Sequence, residues 1–184
     1  MEPMTARPEL RRCGLLNRRT IAFAAIIMLA ALLFGRALPY DWVWDDSTVR
    51  LNPIFQGPLL DGVWATQHDH LQINLKEMKG IRAGHDSWRP LMYLSYRLDV
   101  ALAGMSAPAM RLHNLLLALL AVLLLYRLAR IWLEDERAAL AAAVLFALHP
   151  VHIAPIIYVS GRGDLQAGML ALVAALAALR GEEA

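Results

Sequence analysis

"LHNLLLALLAVLLLYRLARIW", residues 112–132, runs without an acidic side chain and reaches its first arginine only at Arg127. About twenty such residues cross the hydrocarbon of a bilayer as one helix. The run is leucine-rich, lacks the alternation of a half-buried strand, and ends on Arg127 and Arg130. It predicts a membrane-spanning helix, and the rest of the chain reads outward from it.

Composition agrees. Of 184 residues 58% are hydrophobic and 18% charged, with mean hydropathy +0.43. A soluble domain sits nearer half apolar and a quarter charged. A net charge of +2 gives no electrostatic footprint for nucleic acid, and the single Cys13 excludes an internal disulfide.

Upstream, IAFAAIIMLAALLF (21–34) is uncharged and extends through Gly35 and Arg36 to Leu38, so 21–38 is expected to form a first span. A cleaved signal peptide shares its basic flank and apolar core. The exit "GRALPYDW", however, carries no small-x-small cleavage pattern. Downstream, Ala138 to Val159 is apolar but interrupted by "HPVH" and Pro155, and LQAGMLALVAALAAL (165–179) ends at Arg180. The expectation is an all-α, multi-pass membrane protein with about four spanning helices. A basic N-terminus covers 1–20, the first helix 21–38, an external loop 39–107, and three further segments 108–184. Within the loop, PLMYLSYRLDVAL (90–102) mixes leucines with Arg97 and Asp99, as an interfacial or cavity-lining helix would.

Arginines precede Ile21, cluster at Arg127, Arg130 and Arg137, and recur at Arg180. Positive charge marks the cytoplasmic side. Both ends of the chain are therefore expected there, in a bacterial inner membrane or an endoplasmic reticulum. The polar clusters "WDD", "HPVH" and "SGRGD" then meet on the opposite face.

Each cluster has a plain and a chemical reading. Asp45 and Asp46 form a like-charged pair beside a membrane segment, an arrangement that needs a reason. They suit a solvated loop with a helix cap, or a general base or cation holder at the membrane edge. In "SWRPL" Pro90 suits a first helical turn capped by Ser87, and Arg89 either snorkels or clamps phosphate. His149 and His152 have the spacing of a metal pair, but Pro150 breaks the helix and no third ligand is evident. No metal site is expected there. The break instead points to polar groups facing a cavity. "SGRGD" (160–164) carries Arg162 and Asp164 in a glycine-flexed turn, with Asp164 expected to cap a helix starting at Leu165. Its Arg-Gly-Asp tripeptide is too short to argue adhesion.

In order, WVWDDSTVRLNP (42–53), SWRPLMYLSYRLDVALAG (87–104), RLHNLLLALLAVLLLYRL (111–128), AAVLFALHPVH (142–152) and YVSGRGDLQAGMLAL (158–172) form a series. It resembles the protein O-mannosyltransferases that carry a tetratricopeptide-repeat tail, within the GT-C superfamily of polyprenyl-phosphate-sugar glycosyltransferases. The resemblance covers Trp42 to Leu179. It implies inverting transfer of a hexose, mannose by the family's pattern, from a polyprenyl phosphate to a protein or glycan hydroxyl outside the cytoplasm. It further implies Asp45 and Asp46 as catalytic carboxylates, Arg89 and Arg162 as donor-phosphate ligands, and His149, His152 and Asp164 lining the cavity, and it leaves room for a divalent cation. Where such enzymes tend to read "HPVHTEAV" and "GRAD", this chain has "HPVHIAPI" and "GRGD". It looks like the N-terminal portion of such an enzyme. The alternative is a small non-enzymatic membrane subunit, or an inactive fragment, needing a separately encoded remainder.

Overall fold

The computed structural model describes residues 18–43, 46–51, 55, 57–60 and 89–181. Among these every regular element is helical: α1 (Arg18–Gly35), α2 (Asp46–Arg50), α3 (Pro90–Ala103), α4 (Ala107–Leu133), α5 (Glu136–Leu148), α6 (Ile153–Ile157) and α7 (Arg162–Gly181). Short 3₁₀ turns at Pro150–His152 and Val159–Gly161 flank α6. The protein is an all-α membrane protein.

Two stretches, Ala107–Leu133 and Val159–Leu179, are long and apolar enough to cross a bilayer alone. Glu136–Leu148 and Pro150–Ile157 make a third crossing if they act as one span bent by 45°. The apolar part of α1, Thr20–Gly35, reaches only about 24 Å at 1.5 Å per residue. A hydrocarbon core is about 30 Å thick. The helix over the expected first span starts earlier than Ile21 and stops at Gly35, short of Leu38, because Ala37, Leu38 and Tyr40 turn the chain by bonding back to Phe34, Gly35 and Ala37.

Helix α4 is the axle, packing foremost on α5 and α7 and also on α1. Glu134 in the left-handed region (φ 51°) and Asp135, which accepts from the Arg137 amide at 2.7 Å, make the tight turn into α5. Ala139, Ala143 and Ala147 repeat every four residues on α5 and are almost fully buried. Without side-chain bulk, helices in lipid approach closely and gain van der Waals contact. Near the α4–α5 turn, Phe23 of α1 stacks on Tyr126, with centroids 4.6 Å apart.

At the other end α3 crosses α4 and α7. It begins at Pro90, as the sequence predicts, while the expected cap Ser87 lies outside the described residues; Arg89 holds the cap position without a side-chain bond. Leu91, Leu98 and Leu102 are exposed on one face, while Tyr93, Ser95, Tyr96, Arg97 and Asp99 are buried. One expectation is overturned here. Helix α7 starts at Arg162, so Asp164 lies inside its first turn and does not cap it.

Candidate functional site

Residues 149–161 are the irregular part of the bundle. Pro150 and Pro155 remove amide donors, and the backbone passes from α5 through two 3₁₀ turns into α7. Within a membrane such backbone survives only where its polar groups find internal partners. Side chains from α3 and α4 supply them. Asn114 Nδ2 donates to the carbonyls of Pro155 (3.2 Å) and Tyr158 (3.0 Å). Arg111 Nε donates to the Ile157 carbonyl at 2.7 Å, and the Tyr96 hydroxyl to Val159 at 2.7 Å. Burial pushes the Tyr96 pKa up against the opposing pull of Arg162, so the hydroxyl stays a donor.

Arg111 continues outward. Its terminal nitrogens donate to the carbonyls of Tyr40 and Asp41 and reach Asp46 Oδ2 at 3.5 Å. Asp46 is fully buried. It accepts from the amides of Val43 (3.2 Å, Oδ2) and Ser160 (3.1 Å, Oδ1). The acidic motif is thereby bonded to the "SGRGD" turn, 114 residues away. Asp45, its neighbour, lies outside the described residues.

Arg162 does not present its charge to the outside. It has no exposed surface. Nε donates to Asn114 Oδ1 (2.8 Å), Nη1 to Ser95 Oγ (3.3 Å) and Nη2 to the Met110 carbonyl (2.9 Å). Asp99 Oδ2 sits 2.6 Å from Nη2, an ion pair without good hydrogen-bond alignment, and the Tyr96 ring lies 4.4 Å beneath the guanidinium. The other Asp99 oxygen meets His113 Nδ1 at 2.7 Å. All three nitrogens of Arg162 are used within the fold.

Arg89 is placed differently. It is exposed, and its Nη1 lies 3.4 Å from where a Gly163 Cβ would be. "SWRPL" and "SGRGD" therefore touch through a position that carries no side chain. Beyond Gly163, Asp164 and His152 line one part of a cavity of about 440 Å³, whose walls include Phe34, Leu119, Phe146 and Met169. His152 packs edge-on against Phe146, centroids 4.4 Å apart, and its buried Nε2 has no partner. His149 is exposed and its Nδ1 accepts from the Val151 amide at 3.2 Å. Among the described residues no three His, Cys, Asp or Glu side chains gather as metal ligands would.

Sequence reasoning singled out the loops and the Asp99 stretch but not the rest of the polar core joining them: Ser95, Tyr96, Arg111, Asn114 and Gln166. A signal was there. Ser95/Asp99, Arg111/Asn114 and Arg162/Gln166 are polar pairs three or four residues apart on otherwise apolar helices, hence on one helical face. Polar residues at membrane depth face the bundle interior.

The turn also carries a steric requirement. A Cβ at Gly161 would lie 2.6 Å from Pro155 Cα and 3.2 Å from its oxygen. Gly161→Ala should therefore lower stability by about 1–3 kcal/mol, the usual range for overpacking. Gly168→Ala, with nothing within 4 Å, should not. Unfolding midpoints in detergent read both; equal midpoints would refute the clash.

Curated relatives of the chain are protein O-mannosyl-transferases. It is 32% identical over 169 residues to protein O-mannosyl-transferase TMTC1 of Mus musculus, covering 90% of this chain and 17% of that protein. It is 31% identical over 176 residues to TMTC1 of Homo sapiens, covering 92% of this chain and 19% of that protein. Over 97 residues, 52% of this chain and 10% of the relative, it is 44% identical to protein O-mannosyl-transferase Tmtc2 of Drosophila melanogaster. The chain thus spans less than a fifth of the length of these relatives. No family model matches it, and no solved structure does.

Proposed function

We propose that the chain forms the acidic-loop end of a membrane mannosyltransferase that passes mannose from a polyprenyl phosphate to a protein hydroxyl on the non-cytoplasmic side. The observation that carries this reading is the convergence at one end of the bundle: Asp46 on Ser160, Arg89 against Gly163, and the apolar cavity beginning at Asp164 and His152. Those parts match three needs of the reaction, namely an anchored acidic loop, a cation for phosphate and a slot for a prenyl chain.

In this reading Asp45 is the general base. It takes the proton of the acceptor hydroxyl as that oxygen bonds to the anomeric carbon. The bond from that carbon to the phosphate oxygen breaks on the opposite face, inverting the centre. The phosphate leaves with the electron pair, and Arg89 stabilises its charge with two parallel N–H bonds. Asp46 holds the loop through its backbone bonds. Arg162 acts as a positioning residue in place of the phosphate ligand the resemblance implies, because its donors are spent inside the fold. The prenyl tail lies along the cavity, and the region that the longer relatives carry beyond this stretch closes the site.

A chimera tests this. This chain would replace the aligned stretch of the mouse relative, and label would be followed from polyprenyl-phosphate mannose into a serine/threonine-rich acceptor. Transfer by the chimera, and none by this chain alone in detergent, is the expected outcome. A well-inserted chimera that stays silent beside an active parent would remove the reading. Steady turnover by the chain alone would show that the additional region is not needed.

A further inference from the structure

Arg97 is the one arginine among the described residues whose surroundings do not account for its charge. Only 4% of it is exposed, and neither Nε nor Nη1 has a hydrogen-bond partner. Arg111 and Arg162, equally deep, are saturated by carbonyls and carboxylates. The helical neighbours of Arg97 are Tyr93, Leu94, Val100 and Ala101, so no acid stands at three- or four-residue spacing. Asp99 is about 200° away around the helix and is engaged by His113 and Arg162.

A guanidinium cannot shed its proton to escape burial. An isolated buried charge is strongly unfavourable, and a counter-ion is the remaining remedy. The approach of Gly57 leaves room for one. A Cβ there would lie 3.3 Å from Nη2 and 3.7 Å from both Cζ and Nη1. The point is no farther from either terminal nitrogen than from Cζ, so the side chain that Gly57 lacks would stand off the Nη1–Nη2 end of the fork, and its absence leaves that end to another partner. Phe55 and Tyr93 of the same apolar cluster stand nearby, with ring centroids 6.0 Å apart.

We propose that Arg97 is the centre of an oxyanion site for a phosphate group, enclosed between α3 and the chain at Gly57. The position of α3 favours phosphate. Its exposed stripe of Leu91, Leu98 and Leu102 is that of a helix lying in the membrane interface, where headgroup phosphates are the abundant anions. The guanidinium fork matches two phosphate oxygens. The site is separate from the Arg89 position and does not depend on the transfer reading.

The whole chain, purified in uncharged detergent and phosphate-free buffer, provides the test. Arg89→Gln serves as background so that the arginine proposed to meet the donor phosphate does not contribute. Inorganic phosphate at constant ionic strength should raise the unfolding midpoint saturably, and chloride should not. Dihexanoyl phosphatidic acid below its micellar concentration separates the sources. Saturation at roughly tenfold lower concentration than inorganic phosphate assigns a lipid headgroup, and equal concentrations assign free phosphate. Arg97→Met should abolish the response and, without phosphate, raise the midpoint by removing an uncompensated charge. Arg97→Lys, a point charge without the fork, should keep a weakened response. Two results would overturn the site: no saturable response in the background protein, or a midpoint lowered by Arg97→Met, which would reveal a carboxylate of the chain itself as the partner.

Discussion

Asp45→Asn is expected to reduce mannosyl transfer by the chimera about 10²- to 10⁴-fold, the usual worth of a positioned general base, with no change in unfolding midpoint. The amide keeps size and shape and loses the ability to take a proton. Asp46→Asn should lose transfer as well, for a different reason. Its carboxylate accepts amide bonds from Val43 and Ser160 and faces Arg111. An asparagine NH₂ would turn a donor towards one of these donors, so one bond becomes a repulsion. Leaving a buried donor unsatisfied costs about 1–3 kcal/mol. The midpoint should therefore fall for Asp46→Asn and hold for Asp45→Asn. Transfer and thermal unfolding, measured on the same preparations, separate the two residues. Unchanged transfer in both variants would return the pair to a purely structural loop.

Arg162→Met is expected to be the most damaging single change to the fold. It removes one partner of a buried ion pair and leaves Asp99 beside an apolar side chain, which costs about 3–5 kcal/mol. Asn114 Oδ1 and the Met110 carbonyl lose their donor as well. The double variant Arg162→Met with Asp99→Leu should recover part of this, because the uncompensated charge is gone. Denaturant titration in detergent gives the comparison. If Arg162 instead held donor phosphate, stability would be unchanged and the loss would appear as a raised KM for the lipid donor.

Much of the architecture was legible in the chain. Leucine runs marked α4 and α7, prolines at 150 and 155 marked the bend, and the mixed stretch 90–102 marked an amphipathic helix. What escaped was how differently the two arginines beside the motifs are surrounded. Arg89 and Arg162 read alike in sequence, each beside a motif that phosphate chemistry would use. Only three-dimensional neighbours separate them: Arg162 meets Asn114, Ser95 and Asp99 from two other helices, and Arg89 meets the bare backbone of Gly163. Likewise Asp164 reads as a cap because a proline-free apolar run starts at Leu165. The helix begins earlier because Arg162 is held in place by its side chain, and that draws Gly163 into the first turn. Asp45, outside the described residues, is still argued from its chemistry and the resemblance.

The carbonyls of the bend are covered by side chains from helices made before it. Arg111 and Asn114 lie near the start of α4, and the groups they serve, Pro155, Ile157 and Tyr158, follow some forty positions later. On a ribosome the N-terminal elements emerge first. For that interval Arg111 Nε and the Asn114 amide have no bend to receive them, although the terminal nitrogens of Arg111 already have Tyr40 and Asp41, and unpaired polar groups are unfavourable in lipid. A waiting step in biogenesis is the expected consequence: α4 should settle fully among acyl chains only once α6 and α7 have been synthesised. A nascent chain stalled before Pro150 should stay at the insertion machinery, and one stalled after α7 should leave it.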